Sequence, residues 1–202
     1  MNSIPIVFGE ALFDTFPDGQ RVLGGAPFNV AWHLGGFGLK PLFVSRVGDD
    51  GPGRELLARM SAWGLETRAV QRDPHHPTGN VQVRIANDQP SFEIEAEQAY
   101  DYIDSAEVRE VVGSPSNAVL YHGSLAIRSD ISRQALETIA TPEQGIVCDL
   151  NLRPPWWTRE RVRWCLDRAA WMAGSRAAFA GCSRCARRCG ISPPRLRWRL
   201  RC

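Results

Sequence analysis

Four short apolar runs, at residues 4–8, 42–47, 119–121 and 146–150, constrain the fold more than any other feature of this chain. Each is continuous rather than alternating, the pattern of a parallel strand covered by helices on both faces. Helical stripes lie between them. Phe28, Ala31, Trp32 and Gly35 recur at helical spacing, as do Leu56, Leu57, Met60 and Trp63, closed by Gly64 as a C-cap. Ile131, Ala135, Leu136 and Ile139 form a third stripe. Val162, Cys165, Leu166 and Ala169 form a fourth, after the helix-stopping pair Pro154-Pro155. This alternation predicts a doubly wound α/β fold with a mostly parallel sheet and helices on both faces.

One stretch breaks the rhythm. Val81, Val83 and Ile85 alternate with Gln82, Arg84 and Ala86; past the turn Asn87-Asp88-Gln89-Pro90, Phe92 and Ile94 alternate with Glu93 and Glu95. Period two around a turn predicts a half-exposed antiparallel hairpin over about 79–95. A small antiparallel β sheet standing off an α/β core makes a lid, and residues 14–23 are a candidate for a further lid strand.

Ligands of open α/β sheets bind outside the carboxyl ends of the strands, so polar residues there are the candidate site. Asp14 follows the first run; a carboxylate can accept two hydrogen bonds from adjacent hydroxyl groups. Its plain alternative is the cap of a turn. Gly24-Gly25 precedes a helical stripe and allows close backbone approach to a ligand, with Asn29 one turn further on. An ordinary glycine turn before a core helix fits equally. The run Val47-Gly48-Asp49-Asp50-Gly51-Pro52-Gly53 reads as a tight turn with an aspartate capping the next helix. Asp149, Asn151 and Arg153 alternate past the fourth run and point one way; Arg153 suits a carboxylate or phosphate, or a solvated loop. The Gly-Lys-Ser/Thr ending of a phosphate-binding loop is absent.

Taken jointly, Gly9-Glu10 with Asp14, Gly24-Gly25 with Asn29, Val47-Gly48-Asp49, Thr78-Gly79 and Asp149-x-Asn151-x-Arg153 make a series over about residues 4–170. In order and spacing it resembles the sugar-binding half of the PfkB (ribokinase-like) carbohydrate kinases, most closely the fructokinase branch. The resemblance implies a ribokinase-like fold with a β lid and transfer of the ATP γ-phosphate to a sugar hydroxyl. It implies ATP and Mg2+ as cosubstrate and metal, and a homodimer through the lid. It gives sugar contacts to Asp14, Gly24, Gly25 and Asn29, and cleft positions near the sugar or the transferred phosphate to Asn151 and Arg153. A 2-keto-3-deoxygluconate kinase or a nucleoside kinase are alternatives within the family; Arg153 and the hairpin suit an acidic sugar better than a nucleoside.

The resemblance stops near residue 170. The family's Gly-Ala-Gly-Asp, which supplies the general base and a helix N-terminus for the phosphoryl charge, has no counterpart, and neither has its Asn-x-x-Glu. No catalytic residue is therefore assigned. The expectation is a truncated kinase domain over 1–170, inactive as it stands or a non-catalytic sugar-binding remnant, followed by a basic tail over 171–202. Charge marks the boundary: all 22 acidic residues lie at or before Asp167, whereas residues 168–202 carry nine arginines and no acid. Four of the six cysteines, Cys182, Cys185, Cys189 and Cys202, fall in the tail. Out-of-frame translation of a GC-rich gene fits this composition best, and low order is expected there. A zinc site lacks a nearby fourth ligand. A nucleic-acid arm has only Phe179 and Trp198 as stacking groups, which argues against that partner. The four histidines show no metal spacing: His33 reads as structural and His75-His76 as a solvated loop. No run of about 18 apolar residues suggests a membrane span and the start does not read as a signal peptide, so a cytoplasmic location is expected.

Overall fold

The computed structural model describes residues 3–86, 89–113, 117–141, 144–171 and 178–180. In chain order the strands are β1 (Ile4–Phe8), β2 (Leu12–Thr15), β3 (Arg21–Gly24), β4 (Leu42–Gly48), β5 (Val70–Asp73), β6 (Gly79–Ala86), β7 (Gln89–Ile94), β8 (Ala118–Gly123), β9 (Gly145–Asp149) and β10 (Ala178–Ala180). The α-helices are α1 (Ala26–Gly36), α2 (Gly51–Trp63), α3 (Ser105–Val112), α4 (Asp130–Ile139) and α5 (Arg159–Trp171). No helix among the described residues is long and apolar enough to cross a membrane.

The four apolar runs form the middle of a parallel sheet ordered β10-β9-β8-β1-β4-β5, with Phe8 of β1 in register with Val44 and His122. Two edge strands had weaker signals. Val70-Gln71-Arg72-Asp73 has a single apolar residue, and Ala178-Phe179-Ala180 is three residues inside the arginine-rich stretch. The rest of the tail from 181 onward, with its four cysteines, lies outside the described residues.

Two apolar layers flank the sheet. Val7, Phe43 and Val47 pack under Phe28 and Ala31 of α1 and Leu56 and Met60 of α2. On the other face Ile6, Phe8, Val44, Leu120 and Ile146 meet Val108 of α3, Leu136 and Ile139 of α4 and Cys165 of α5. Truncating a fully buried residue such as Leu56 to alanine costs about 2–5 kcal/mol, the scale on which these layers hold the fold. Coverage is unequal. On the α1 side of β8 and β9, Val119 remains 38% exposed and Tyr121 and Val147 are half-buried, so these strands alternate where both-face burial was expected.

Local chemistry sets the helix ends. Asp50 caps α2 by accepting the Gly53 N–H at 2.7 Å, the role read from the sequence, and Gly64 ends it in the left-handed region. Asp50 also accepts the Thr78 N–H and hydroxyl, at 2.8 and 2.6 Å, while the Thr78 oxygen accepts the Gly48 N–H at 2.9 Å. This knot joins the end of β4, the start of α2 and the root of the lid.

The lid is a second sheet ordered β3-β2-β6-β7. β6 and β7 form the expected antiparallel hairpin, with Val81 opposite Ile94 and Val83 opposite Phe92. Residues 14–23 belong to two strands rather than one: β2 and β3 pair antiparallel around the turn at 16–20. β2 pairs with β6 in parallel, so the lid sheet is mixed. His76 also departs from expectation. It is half-buried, stacks on Tyr102 at 3.5 Å and places Nδ1 3.0 Å from Asp73, whose carboxylate also meets Arg46 at 2.9 Å.

Candidate functional site

From β1 the chain runs outward in one direction to β4 and β5, then returns to β8 on the other side of β1. The strand order reverses between β1 and β8, and the crevice outside their carboxyl ends is where such sheets take ligands. Glu10 leaves β1 into this crevice, and Gly123 closes β8 on its far wall. Gly25 turns the chain into α1 at φ 106°, a conformation that glycine tolerates and L side chains resist. An added Cβ there would lie 2.5 Å from the Glu10 carbonyl oxygen. Glycine is thus required by both torsion and space.

Asp14 lies on β2 beside this turn. A Cβ at Gly24 would sit 3.1 Å from Asp14 Oδ2, so the missing side chain leaves room for the carboxylate. Burial raises the Asp14 pKa, and the Arg153 guanidinium opposes that rise. The structure therefore brings Asp14, Gly24, Gly25 and Arg153 to one mouth. Asn29 is exposed one turn into α1, its N–H bonded to the Gly25 carbonyl at 2.9 Å. Asn151 is exposed past β9, and its carbonyl accepts the Ser124 hydroxyl at 3.2 Å. That bond ties the segment carrying Arg153 to the end of β8. Asp149 is turned to Tyr121, whose hydroxyl it accepts at 3.1 Å.

The model of the pfkB family carbohydrate kinases matches residues 10–184. This chain belongs to that family. It is 30% identical over 183 residues to a fructokinase of Klebsiella pneumoniae, covering 86% of this chain and 59% of that one. A sugar kinase of Pyrococcus horikoshii solved with ATP superposes at a TM-score of 0.70 with 24% identity, over 84% of this chain and 60% of that one. The apo fructokinase of Vibrio cholerae O395 superposes at 0.70 with 25% identity, over 82% and 61%. The pfkB chain described here spans about half the length of the relatives it matches, 44% and 59% in the first two. The match extends beyond residue 170, into the segment whose sequence carries no family motif.

Kinases of this family are expected to work with ATP and Mg2+. Among the described residues no three His, Cys, Asp or Glu side chains gather as metal ligands. In the mouth the Asp14 carboxylate lies within the field of the Arg153 guanidinium, a pair that suits hydroxyl groups and an anion.

Sequence reasoning missed two contributors. Glu10 belonged to a motif but was assigned no role; a carboxylate between Phe8 and Ala11 at the end of a buried strand is the available signal. Arg128 is 6% exposed and joins the lid to the core. It pairs with Asp101, donates to the Glu95 carbonyl at the foot of β7 and stacks on Trp156 at 4.1 Å. Beyond Trp156 a cleft of about 310 Å³ runs between Phe92 and Ile94 of β7 and the loop at 154–156.

Proposed function

We propose that this chain is the sugar-binding half of a fructokinase-type carbohydrate kinase, one that moves the ATP γ-phosphate to a sugar hydroxyl. The observation that carries the proposal is the mouth near the strand switch point, where the Asp14 carboxylate lies beside Gly24 and within the field of Arg153. Asp14 accepts two sugar hydroxyls, Gly24 and Gly25 let the ring approach the backbone, and Asn29, Asn151 and Arg153 hold its rim. Arg153 also supports a second reading, an acidic sugar, whose carboxylate would take the guanidinium in a bidentate pair. ATP and Mg2+ belong to the whole reaction. Residues 1–202 contain no Gly-Ala-Gly-Asp, so they are expected to bind sugar with little turnover.

Asp14→Ala is the variant that tests the mouth. Loss of a charge-assisted contact costs about 1.5–3 kcal/mol, roughly a ten- to hundredfold drop in affinity. Calorimetric titration with fructose, and with 2-keto-3-deoxygluconate for the acidic alternative, reads it. Equal affinity in the native chain and the variant would remove Asp14 from the site.

The lid also supports a homodimer. Val22, Ile85 and Phe92 share the Asp14 face of the lid sheet and are 44%, 59% and 50% exposed. Sedimentation of the native chain is expected to give a dimer that Ile85→Glu dissociates; a monomer at all concentrations would rule this out.

A further inference from the structure

The crevice where the strand order reverses contains a carboxyl group to which sugar binding gives no task. Glu10 is 3% exposed, and its Oε2 has no hydrogen-bond partner among the described residues. A Cβ at Gly123, on the β8 wall, would lie 3.7 Å from that oxygen. Three backbone amides, its own, that of Ala26 and that of Ala126, lie near enough to favour the charged carboxyl. Ala26 opens α1, an 11-residue helix whose N-cap is Gly25 and whose first turn has no acid. A helix start leaves N–H groups unsatisfied at the positive end of its dipole. Glu10 is the acid that meets this one, from outside the helix. Ala126 opens the short turn after β8 that ends at Arg128. Glu10 therefore sits between the two walls of the crevice, its backbone against Gly25 before α1 and its carboxyl beside Gly123 at the end of β8.

We propose that Glu10 is the positioning residue of the mouth: its carboxyl clamps the start of α1 to the turn after β8, and its ionisation shifts the Gly24-Gly25 turn and Asn29. The groups facing it come from every neighbouring element. Asp149 at the end of β9 repels its charge, Arg128 attracts it, and Tyr100 and Tyr121 lie within its field. Burial dominates and pushes the carboxyl from 4.5 up to about 7, against the pull of the three amides. Its proton therefore leaves near neutrality. A sugar seated on the Gly24-Gly25 turn and Asn29 holds them in the arrangement of the neutral carboxyl and so disfavours the anion. Sugar binding is thereby linked to protonation and weakens as pH rises through about 7. This consequence rests on the sugar-binding reading; the clamp itself does not.

The test uses the full chain labelled with 15N-alanine, followed by NMR from pH 5.5 to 8.5, and fructose calorimetry at both ends of that range. The Ala26 and Ala126 amides are expected to move with one shared midpoint near neutrality. In Glu10→Gln, a neutral isostere, they should stop moving. Fructose affinity should fall about three- to tenfold from low to high pH in the native chain, the effect of a half to one unit of pKa shift, and stay level in the variant. The 13C signal of the Glu10 carboxyl gives the midpoint in the native chain even if the variant fails to fold. Amides without a shared midpoint, or a midpoint that survives in Glu10→Gln, would overturn the clamp. Level fructose affinity across the range would overturn its control of the mouth. Titrating amides with no fructose binding at any pH would instead sink the sugar-binding reading and leave the clamp standing.

Discussion

Replacing Arg128 with methionine is expected to cost about 3–5 kcal/mol of stability, the usual penalty for removing one partner of a buried ion pair. Its guanidinium reaches Asp101 with two hydrogen bonds of 2.8 and 2.7 Å. Arg128 is 6% and Asp101 5% exposed, so neither charge is solvated by default. Asp101 also accepts the Gln98 N–H at 3.1 Å, fixing the short 3-10 turn Ala99–Tyr102 that follows the lid. Methionine keeps the length of the stem but strands the Asp101 carboxylate without a counter-charge. The Glu95 carbonyl at the foot of β7 loses its donor as well, so the lid should exchange amide hydrogens faster than the core. Adding Asp101→Asn removes the stranded charge and should recover part of the loss. Urea denaturation measures all three chains. A loss below about 1 kcal/mol for Arg128→Met would mean that the pair is solvated like a surface bridge.

Stability against pH is the second large effect, and it comes from two buried groups of opposite sign. Burial raises Glu10 from 4.5 to about 7, so the folded chain keeps a proton that the unfolded chain releases. Its contribution is whole below 4.5 and is lost as pH rises through about 7, a change of about 3 kcal/mol. Burial lowers His122 from 6.5 to about 4, reinforced by Arg168 and opposed by its hydrogen bond to the Gly123 carbonyl. Here the unfolded chain takes up a proton that the folded chain refuses. That contribution is whole above 6.5 and is lost as pH falls through about 4, by a similar amount. Between 4.5 and 6.5 the two slopes oppose, so the native chain should change little in stability there. Glu10→Gln leaves the histidine slope alone. The variant should gain stability steadily over that window, and its advantage over the native chain should widen by about 3 kcal/mol toward pH 8. Chemical denaturation at three pH values checks it; parallel curves for the two chains would contradict the Glu10 assignment, and a flat variant between 4.5 and 6.5 the His122 one.

The sequence shows the frame of this molecule where chemistry is local and repeats. Ile6-Val7-Phe8 and Leu42-Phe43-Val44 are apolar at every position because helices cover both faces of β1 and β4, and that pattern needs no structure to be read. The β6–β7 hairpin is legible for the opposite reason, one wet face and one dry. The strands that escaped notice break these patterns. β5 presents Gln71 and Asp73 to buried polar partners, so its polar residues look like loop residues: Gln71 accepts the Asp104 N–H at 2.8 Å, and Asp73 meets Arg46. The parallel pairing of β2 with β6 joins Asp14 to Val81, 67 positions apart, and local pattern says nothing about it. The mouth divides in the same way. Asp14, Gly24-Gly25 and Arg153 were visible as polar or glycine residues at strand ends, though their meeting was not. Glu10 and Arg128 were harder to see, because a buried charge owes its role to partners far away in the chain.

Amide hydrogen exchange, measured on residues 1–202 with and without saturating fructose, tests the sugar-binding mouth most directly. Slower exchange is expected over Leu12–Thr15, over residues 25–29 and over residues 151–153, the three segments that form the mouth. Unchanged exchange in all three, or protection confined to the cleft beside β7, would contradict a sugar site at Asp14.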